Sequence, residues 1–469
     1  MKMWSGRFRQ PLYPEFERWQ RSFDFDRRLL RYELAASGAH ARALKNAGVL
    51  TADELISILQ GLKQIDVNVA ASKSVPEDSE AEDIHHFVEK QLAALIGDLG
   101  YKLHTGRSRN EQIATDLRLY VRAAIDELRH QLAEFCNTIV DRAEQSGDAA
   151  MPAYTHLQKA EPVLVAHWLL AYVEMLLRDA SRLADCRKRL NVCALGSGAV
   201  AGATLALDRT FMAETLGFDA PTANSLDATS DRDFAIEFVN TLSLLAMHFS
   251  RWAEEMILFS SQEYGFVVLP EAFSTGSSAM PQKKNPDLLE LVRGKSGGVL
   301  GHATALAVTL KGLPLAYNKD LQESQQPLFD ASETLLQMLP LVTGFMQAVE
   351  FNHERMNRAA QSGFMNAWAA AQYLVNRGVP SRLAHERIGK AVQLCIEKGC
   401  ELHDLPLADL QALSPAFSQD FYESLKLDSV LSIHDVPGGT APVRVRQAIH
   451  DARNKIQSLR EEVHTHAHA

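Results

Sequence analysis

The sequence predicts an all-α protein of three domains, whose middle part is a bundle of long helices. Apolar residues recur every three or four positions over several long stretches, which is the period of an amphipathic helix. Almost nowhere do apolar and polar residues alternate as they do in a half-buried strand. The 469 residues, 46% of them hydrophobic, are enough for a sizeable core and more than one domain.

Residues 1–106 form the first predicted domain, in which short helices alternate with turns. Thr51 opens one of these helices, because an acid three residues further on completes a capping box. The polar, acidic stretch 72–82 is predicted to be a surface loop, and a helix is predicted over 83–95. Ser22 precedes another helix and is interpreted as a cap or turn residue.

Residues 107–358 form the second predicted domain and contain five long helices, which indicates a bundle. The first helix extends from Asn110 to about Gln145 and would be roughly 50 Å long at 1.5 Å per residue. That length is unusual for a single compact domain. The other four are predicted at 161–190, 232–262, 287–310 and 321–350.

Two features of these helices predict close packing, in the first case against other subunits. The helix over Phe238–Phe259 is apolar on more than one face, so it must be buried on several sides. Four glycines recur along the fourth long helix despite their low helix propensity. We interpret them as points of close backbone approach in a tight bundle, with a kink as the alternative. They are Gly294, Gly297, Gly298 and Gly301.

Residues 359–469 form the third predicted domain, with short helices and the loop Val436–Thr440. The histidine-rich end is interpreted as a frayed terminus rather than a metal-binding tail.

In the second predicted domain, Gly196–Ala201 fits the dinucleotide fingerprint G-x-G-x-x-A. However, it follows a charged helical run, and no strands are available to build a sheet. A glycine-rich connector between helices is the better interpretation.

Composition narrows the possible functions. The net charge is −10 and there is no basic block, so we expect no nucleic-acid partner. The five cysteines match no zinc spacing and predict a reduced, cytoplasmic protein. The uncharged run Ser296–Leu310 is shorter than a membrane span, and the first residues lack the apolar core of a secretory signal. We therefore expect no contact with a membrane.

The most informative stretch is Gly276–Asp287, a small, polar and cationic loop. Two serine hydroxyls, two lysines and the amide of Asn285 come directly before a helix that is predicted to start at Pro286. A helix N-terminus favours negative charge, so the loop suits an anionic substrate. A solvated connector is the alternative.

Polar segments also precede the other long helices. Arginine can bind a carboxylate bidentately, and a histidine at a helix entrance is a candidate acid or base. For each segment the alternative is structural: a helix cap, a packed histidine or a solvated loop. The segments are Thr105–Asn110, Tyr154–Gln158, Asp227–Asp233 and Tyr317–Gln322.

The positions of these loops predict shared active sites. Adjacent bundle helices run antiparallel, so alternate helix starts point to opposite ends of the bundle. One chain cannot easily gather all of the loops, whereas several chains packed together can. We therefore predict sites that are built from more than one subunit.

The loop Gly276–Asp287, which we call the Ser277 loop, matches the motif G-S-S-x-M-P-x-K-x-N at every fixed position. The chain thereby resembles the fumarase/aspartase superfamily, to which this motif belongs. Further strings extend the resemblance over nearly the whole chain to the argininosuccinate lyase family. Thr105–Gln112 separates this family from fumarases, aspartases and adenylosuccinate lyases. The others are Met3–Phe8, Tyr154–Gln158 and Gly438–Thr440.

The resemblance implies a homotetramer with a central multi-subunit helical bundle and composite active sites. It implies the reversible cleavage of argininosuccinate to arginine and fumarate, in arginine biosynthesis. No cofactor and no metal are expected, because no Asp, Glu and His residues show ligand spacing. A non-catalytic structural protein of the same fold and a lyase for adenylosuccinate are the alternatives.

By the same resemblance, Ser277 and His156 form the acid–base pair, with Ser277 as the base, and the reverse assignment stays open. Glu290 would orient His156, while Lys283 and Asn285 would stabilise the developing negative charge. Substrate contacts are implied for Ser22, Arg107, Ser108, Arg109, Asn110, Thr155, Arg232, Tyr317 and Gln322.

One position departs from the family pattern. After Gln322 and Glu323 the family commonly has Asp-Lys, whereas this chain has Ser324 and Gln325. The lysine usually contacts a substrate carboxylate, and Gln325 offers only neutral hydrogen bonds. Loss of a charge-assisted contact costs about 1–2 kcal/mol. We expect weaker substrate binding, or compensation by Lys319 or an arginine.

Overall fold

The computed structural model describes residues 9–72 and 74–467 and confirms the all-α class. The string Met3–Phe8 and the last residues of the tail lie outside this range. The predicted capping box is present: the Thr51 amide donates to Glu54 at 2.9 Å, and the Glu54 amide donates to Thr51 Oγ1 at 3.2 Å. The N-terminal helices are α1 (Pro14–Trp19), α2 (Phe23–Asp26), α3 (Leu30–Asn46), α4 (Ala52–Ser72), α5 (Ile84–Ile96) and α6 (Leu99–Lys102).

All five predicted long helices are present in the middle of the chain. The first has 37 residues and a length of about 55 Å. They are α7 (Arg109–Gln145), α8 (Val165–Leu190), α11 (Asp233–Ser260), α12 (Asp287–Leu310) and α13 (Gln325–Ala348), with the short α9 (Arg209–Thr215) and α10 (Ser225–Ser230) between them.

Two of the long helices begin later than predicted. The second begins at Val165, because the preceding residues form a strand in which Pro162 pairs with Pro152. Both strands of that ribbon are edges, where proline removes no necessary hydrogen bond. The fifth begins at Gln325, because Lys319–Ser324 forms a 3₁₀ helix instead.

The strands are short and occur only in pairs among the described residues. β1 (Ala150–Thr155) and β2 (Gln158–Leu164) form an antiparallel hairpin. The remaining pairs are β3 (Val192–Cys193) with β4 (Ala220–Pro221), β5 (Val267–Val268) with β8 (Glu350–Phe351), and β6 (Thr275–Gly276) with β7 (Lys284–Asn285).

The main core lies between the long helices. Phe135 of α7 meets Trp252 of α11 edge-on with ring centroids 5.5 Å apart, and Trp252 meets Phe345 of α13 at 5.7 Å. All three residues are buried. Aromatic contacts of this geometry add to the stabilisation from burial, and they hold three long helices in register.

The C-terminal part contributes to two cores. Residues 370–425 pack around a second apolar core of their own. The last helix lies against α7 and α8 and buries Val445 and Ile456 in the main core, so it does not pack with the second core. The division at 358 stays a prediction. The helices are α14 (His353–Ala360), α15 (Ala367–Asn376), α16 (Ser381–Lys398), α17 (Leu407–Leu413), α18 (Phe421–Ser424), α19 (Leu427–Ser432) and α20 (Pro442–Ala467).

The glycines of α12 face open space within the chain. A methyl group added at Gly294, Gly297, Gly298 or Gly301 would meet no heavy atom within 4 Å. The close backbone approach that these glycines predict is therefore not made inside one subunit, and α12 continues unbroken through them. In the described part of the chain, no helix combines the length and the apolar character needed to cross a bilayer.

Candidate active site

Most of the predicted substrate-binding residues gather around the N-terminal end of α7. Three segments from other parts of the chain meet there: the turn before α2, the segment before α5 and the 3₁₀ helix before α13. We call this group the α7 cluster. It contains Ser22, Arg107, Ser108, Arg109, Asn110, Arg232, Tyr317, Gln322 and Gln325.

The start of α7 is held by a capping box and by the glycine-rich connector. Ser108 Oγ accepts from the Asn110 amide at 3.3 Å, and the Ser108 amide donates to Glu111 at 2.9 Å. The other carboxylate oxygen of Glu111 accepts from the Gly198 amide at 2.9 Å. Gly198 has a φ of 60°, a conformation that favours glycine. The segment 196–201 is thus a turn that buttresses the helix start.

Hydrogen bonds tie the 3₁₀ helix before α13 to the N-terminal segments. Gln322 Nε2 donates to the Gln20 carbonyl at 3.0 Å, and Lys319 Nζ lies 3.4 Å from Glu82 Oε1. The Ser22 amide donates to the Glu82 carbonyl at 3.0 Å. These contacts place Ser22, Lys319 and Gln322 on one side of the α7 cluster.

Two weak acids lie between these segments. Asp26 is buried and accepts from Ser22 Oγ at 2.6 Å. Burial and then the charge of Asp83 raise the pKa of Asp26 to about 7. Burial also raises the pKa of Tyr317, against the opposing charge of Arg232. Both groups are therefore protonated over part or all of the neutral range.

Two of the three predicted anion-binding arginines are engaged with acids of the same chain. The Arg107 side chain is 5% exposed and turns inward, with Nη1 donating to Ser37 Oγ at 2.9 Å and Nη2 3.8 Å from Glu33 Oε1. Arg109 forms an ion pair with Asp83. Neither side chain is directed at solvent.

Arg232 differs from these two. It is 1% exposed, and its Nη1 donates to the Asp231 carbonyl at 2.8 Å. Its Nε and Nη2 have no hydrogen-bond partner among the described residues. Burial lowers the pKa of Arg232 to about 10, and the Tyr317 phenol acts in the opposite direction. A buried guanidinium with unused donors is suited to bind a carboxylate.

The β1–β2 hairpin ends in a strained two-residue turn. Thr155 pairs with Gln158, and the two residues between them, His156 and Leu157, have φ values of 54° and 57°. Asparagine and glycine are preferred at such positions, and other residues there cost about 1–2 kcal/mol each. Thr155 and His156 are exposed, and no side-chain hydrogen bond of His156 is found in the described range. Strain of this kind clusters at functional sites.

The Ser277 loop is closed by the β6–β7 pair at its base. Ser277 Oγ accepts from the Ala279 amide at 3.3 Å and from the Met280 amide at 3.1 Å. Hydrogen bonds from N–H groups favour the charged form of an oxygen. The loop's own backbone therefore favours an ionised Ser277, a contribution that the sequence analysis did not find.

The helix start after this loop differs from the predicted one. Asn285 does not cap the helix, because it belongs to β7 and pairs with Thr275. Its Nδ2 donates to the Gly276 carbonyl at 3.4 Å. Pro286 occupies the cap position, and α12 begins at Asp287, whose carboxylate accepts from the Thr275 hydroxyl.

Glu290 and Lys283 are exposed. Glu290 Oε1 lies 4.0 Å from Arg293 Nη2. In the described residues of one chain, no contact joins Glu290 to His156, and the Lys283 ammonium has no ion pair. The partnership of Glu290 with His156 thus stays a prediction that one chain does not fulfil.

The polar loops lie at two ends of the bundle. At the N-terminal end of α11, Asp231 pairs with Arg118 of α7, close to the α7 cluster. At the other end, Glu255 of α11 accepts from Trp168 Nε1 at 2.7 Å, next to the hairpin. The Ser277 loop shares this second end, because Lys284 Nζ donates to the Leu269 carbonyl at 3.0 Å. The 28 residues of α11 separate the ends by about 42 Å.

One buried group was missed by the sequence analysis. Glu33, His85 and Asp116 come from α3, α5 and α7, and their ligand-type atoms lie within 4.8 Å of one another. All three are buried. Their wide separation in the chain gave no spacing signal, and the only clue was an ionisable residue on each of three core-facing helices.

Two family profiles match the chain. The family described as Lyase matches residues 6–301, and the one described as Argininosuccinate lyase C-terminal matches residues 364–432. The argininosuccinate lyase of Koribacter versatilis is 60% identical over 469 residues and is covered, like this chain, at 100%. That of Acidobacterium capsulatum is 59% identical, with 98% of this chain and 96% of the relative covered.

Solved structures share the fold. EDDS lyase in complex with formate is similar at a TM-score of 0.86 and 27% identity, covering 98% of this chain and 93% of that chain. The 3-carboxy-cis,cis-muconate lactonizing enzyme from Pseudomonas putida is similar at a TM-score of 0.74 and 22% identity, covering 92% and 96%. The second likeness concerns the fold alone.

The strain at the hairpin tip predicts the effect of Leu157→Gly. Leu157 is 68% exposed, so the substitution loses little packing and relieves a left-handed conformation. We expect the free energy of unfolding to rise by about 0.5–1 kcal/mol, measured by urea denaturation.

Gln158→Gly is the matched control, because Gln158 is exposed, lies next in the chain and is not left-handed. Glycine in a strand should lower the free energy of unfolding there by about 0.5–1 kcal/mol. An equal loss of stability in both variants would show that the tip is not strained.

Proposed function

This chain belongs to the argininosuccinate lyase family of the fumarase/aspartase superfamily, and from that membership we propose how its own residues cleave argininosuccinate reversibly to arginine and fumarate. The chain is a carbon–nitrogen lyase. The match over its full length to two argininosuccinate lyases carries this function.

Substrate binding is assigned to the α7 cluster. Argininosuccinate carries carboxylates, and the unused Nε and Nη2 donors of Arg232 offer a buried carboxylate site. The hydroxyl of Tyr317 lies beside this guanidinium, and Ser108 and Asn110 add neutral donors at the start of α7. Buried charge that is pre-arranged for a ligand contributes binding energy without reorganisation.

Proton removal is assigned to Ser277. The reaction takes a proton from the carbon next to a carboxylate, which produces a doubly charged aci-carboxylate. The amides of Ala279 and Met280 favour the Ser277 alkoxide that accepts this proton. Lys283 and the N-terminus of α12 stabilise the charge that develops on the substrate.

Proton donation is assigned to His156. As the bond between carbon and the guanidino nitrogen breaks, its electron pair stays with nitrogen, which takes a proton from the His156 imidazolium and leaves a neutral imidazole. The strained turn sets the direction in which the His156 side chain projects from the hairpin tip. Glu290 of a neighbouring subunit would then hold the imidazolium by its charge.

A homotetramer is proposed because one chain holds the Ser277 loop and the His156 hairpin at one end of the bundle and the α7 cluster at the other. An antiparallel second copy would bring the Ser277 loop of one chain to the α7 cluster of another. Large apolar side chains and open glycines on the long helices offer the surface for this contact. The exposed apolar residues include Leu244, Met247, Leu291, Leu300, Val308 and Leu341.

Free cysteines support a cytoplasmic location. None of the five forms a disulfide, and four of them are buried. Unpaired thiols are typical of a reducing compartment.

The assigned acid and base can be tested by mutation. The purified protein should release fumarate from argininosuccinate, measured by its ultraviolet absorbance. Ser277→Ala and His156→Asn should each lower kcat by about 10²–10⁴-fold, because each removes one proton transfer. His403→Asn, at an exposed histidine near the second core, is the control and should change little.

The same assay separates the alternatives. Release of fumarate from adenylosuccinate but not from argininosuccinate would select the other lyase activity. If the wild type released no fumarate from either substrate, this result would favour a structural protein.

Mixing variants tests the shared site. His156→Asn and Arg232→Gln lie at opposite ends of one chain, and each should be inactive alone. When the two are dissociated and reassembled together, about one quarter of the sites should receive both intact residues from different chains. Native mass spectrometry would verify the mixed tetramers, and mixed tetramers without activity would contradict sharing.

Because the family commonly has lysine where this chain has Gln325, restoring the lysine should strengthen the binding of argininosuccinate. Gln325 is buried, and its Oε1 has no partner among the described residues. Gln325→Lys should lower KM for argininosuccinate by about 5- to 30-fold through a charge-assisted contact. Gln326→Lys adds the same charge at the exposed neighbouring position and should leave KM unchanged. An unchanged KM in both would mean that another cation already makes this contact.

A further inference from the structure

The geometry around Arg107 points to a role different from the predicted substrate contact. We propose that Arg107 is a positioning residue, part of a buried anchor that fixes the turn Thr105–Asn110 and thereby places Ser108 and Asn110 at the substrate. This proposal rests on the proposed function for the role of that turn. The anchor consists of Glu33, Ser37, His85, Arg107 and Asp116.

The contacts of Arg107 are made to helix α3. Nη1 donates to Ser37 Oγ at 2.9 Å, and Ser37 Oγ in turn donates to Glu33 Oε1 at 2.5 Å. Nη2 lies 3.8 Å from the same carboxylate oxygen. An arginine that bound substrate directly would have to give up these contacts to the buried carboxylate of Glu33, which is costly.

Glu33 is the centre of the anchor. It is 1% exposed and lies 2.8 Å from His85 Nδ1. Gln112 Nε2, one turn into α7, donates to both of its oxygens at 3.2 and 3.3 Å. Three helices and the turn are thus joined through a single carboxylate.

The two acids of the anchor carry different charges. Burial alone would raise the pKa of Glu33, but the charges of His85 and Arg107 outweigh it and hold the pKa well below the ordinary range. Burial and the neighbouring Glu33 raise the pKa of Asp116 well above its ordinary value. Neither oxygen of Asp116 receives a hydrogen bond from an N–H or hydroxyl group in the described range. The negative charge of Glu33 beside it makes Asp116 hold its proton more tightly.

Other contacts tie the same turn to the same helices. His40 Nε2, on α3, lies 3.0 Å from the Thr105 carbonyl, and Arg109 pairs with Asp83 at the start of α5. Gly106 has a φ of 70° and packs against Leu205, whose Cδ1 would lie 2.7 Å from an added methyl group. The turn Thr105–Asn110 is therefore attached to the neighbouring helices on both sides of Arg107. The contacts of Arg107 with the anchor fix the position of the residues in between.

Glu33, His85 and Asp116 of the anchor also form a set of ligand atoms of the kind that binds a divalent cation. The positive guanidinium 3.8 Å from Glu33 already compensates this carboxylate. We therefore assign the group to the protein's own anchor.

The experiment compares the same change at two touching acids. Glu33→Gln removes the charge that holds Arg107, and KM for argininosuccinate should rise at least tenfold with a smaller change in kcat. Asp116→Asn replaces a neutral acid by a neutral amide and should keep KM within about threefold. Equal damage from both substitutions would overturn the proposal.

A double-mutant cycle separates positioning from general structural damage. In an Arg107→Gln background, adding Glu33→Gln should change KM by less than twofold, because its effect passes through Arg107. Additive effects in the cycle would overturn the proposal. If Glu33→Gln does not fold, Ser37→Ala removes only the bridging hydroxyl and takes its place in the same cycle.

Amide hydrogen exchange tests the anchor independently of catalytic activity. In the full-length assembly, Glu33→Gln or Ser37→Ala should speed exchange of the amides at 105–112 at least tenfold, while residues of the second core stay unchanged. Unchanged exchange of the turn would overturn the anchor. A wild type that releases no fumarate would instead overturn the proposed function and leave this measurement valid.

Discussion

The length of α11 is the constraint on which the arrangement of this protein depends. A helix of 28 residues holds its two ends about 42 Å apart. Because consecutive long helices run in opposite directions, each loop between them lies at one end of the bundle or the other. Arg232, with two unused donors, lies at one end, and Ser277, whose hydroxyl accepts from two backbone amides, lies at the other. Chemistry that needs both groups would have to be assembled between chains, which is the basis of the proposed shared site.

Burial sorts the charged side chains into structural and functional groups. Arg109 pairs with Asp83, and Arg107 contacts Glu33 and leaves only its Nε unused, whereas the buried Arg232 leaves both Nε and Nη2 unused. An unsatisfied buried donor costs about 1–3 kcal/mol unless a ligand satisfies it. The free energy of unfolding is thus lower than it would be if Arg232 had hydrogen-bond partners for Nε and Nη2. A carboxylate substrate would use these same two donors. The compensated arginines instead stabilise the turn that precedes α7.

The backbone shapes both of the loops to which catalysis is assigned in our proposal. In the Ser277 loop two amides face one hydroxyl, and the β6–β7 pair holds the ends of the loop together. At the hairpin tip, His156 and Leu157 occupy left-handed conformations that neither side chain favours. The core of Phe135, Trp252 and Phe345 stabilises the frame against which this strain is maintained.

The sequence by itself determined the helical class, the bounds of most long helices and the family, because periodicity and contiguous motifs are local properties. It predicted the wrong start for α8 and for α13, since pairing of Pro162 across the hairpin and the 3₁₀ turn before Gln325 depend on neighbouring segments. It also named the polar loops without the direction of their side chains. Only the tertiary structure decided that Arg107 turns inward to Glu33 and that Arg232 keeps unused donors. The physical reason is that burial and charge compensation are set by residues distant in the chain, such as Glu33 and Asp116, which no local pattern connects.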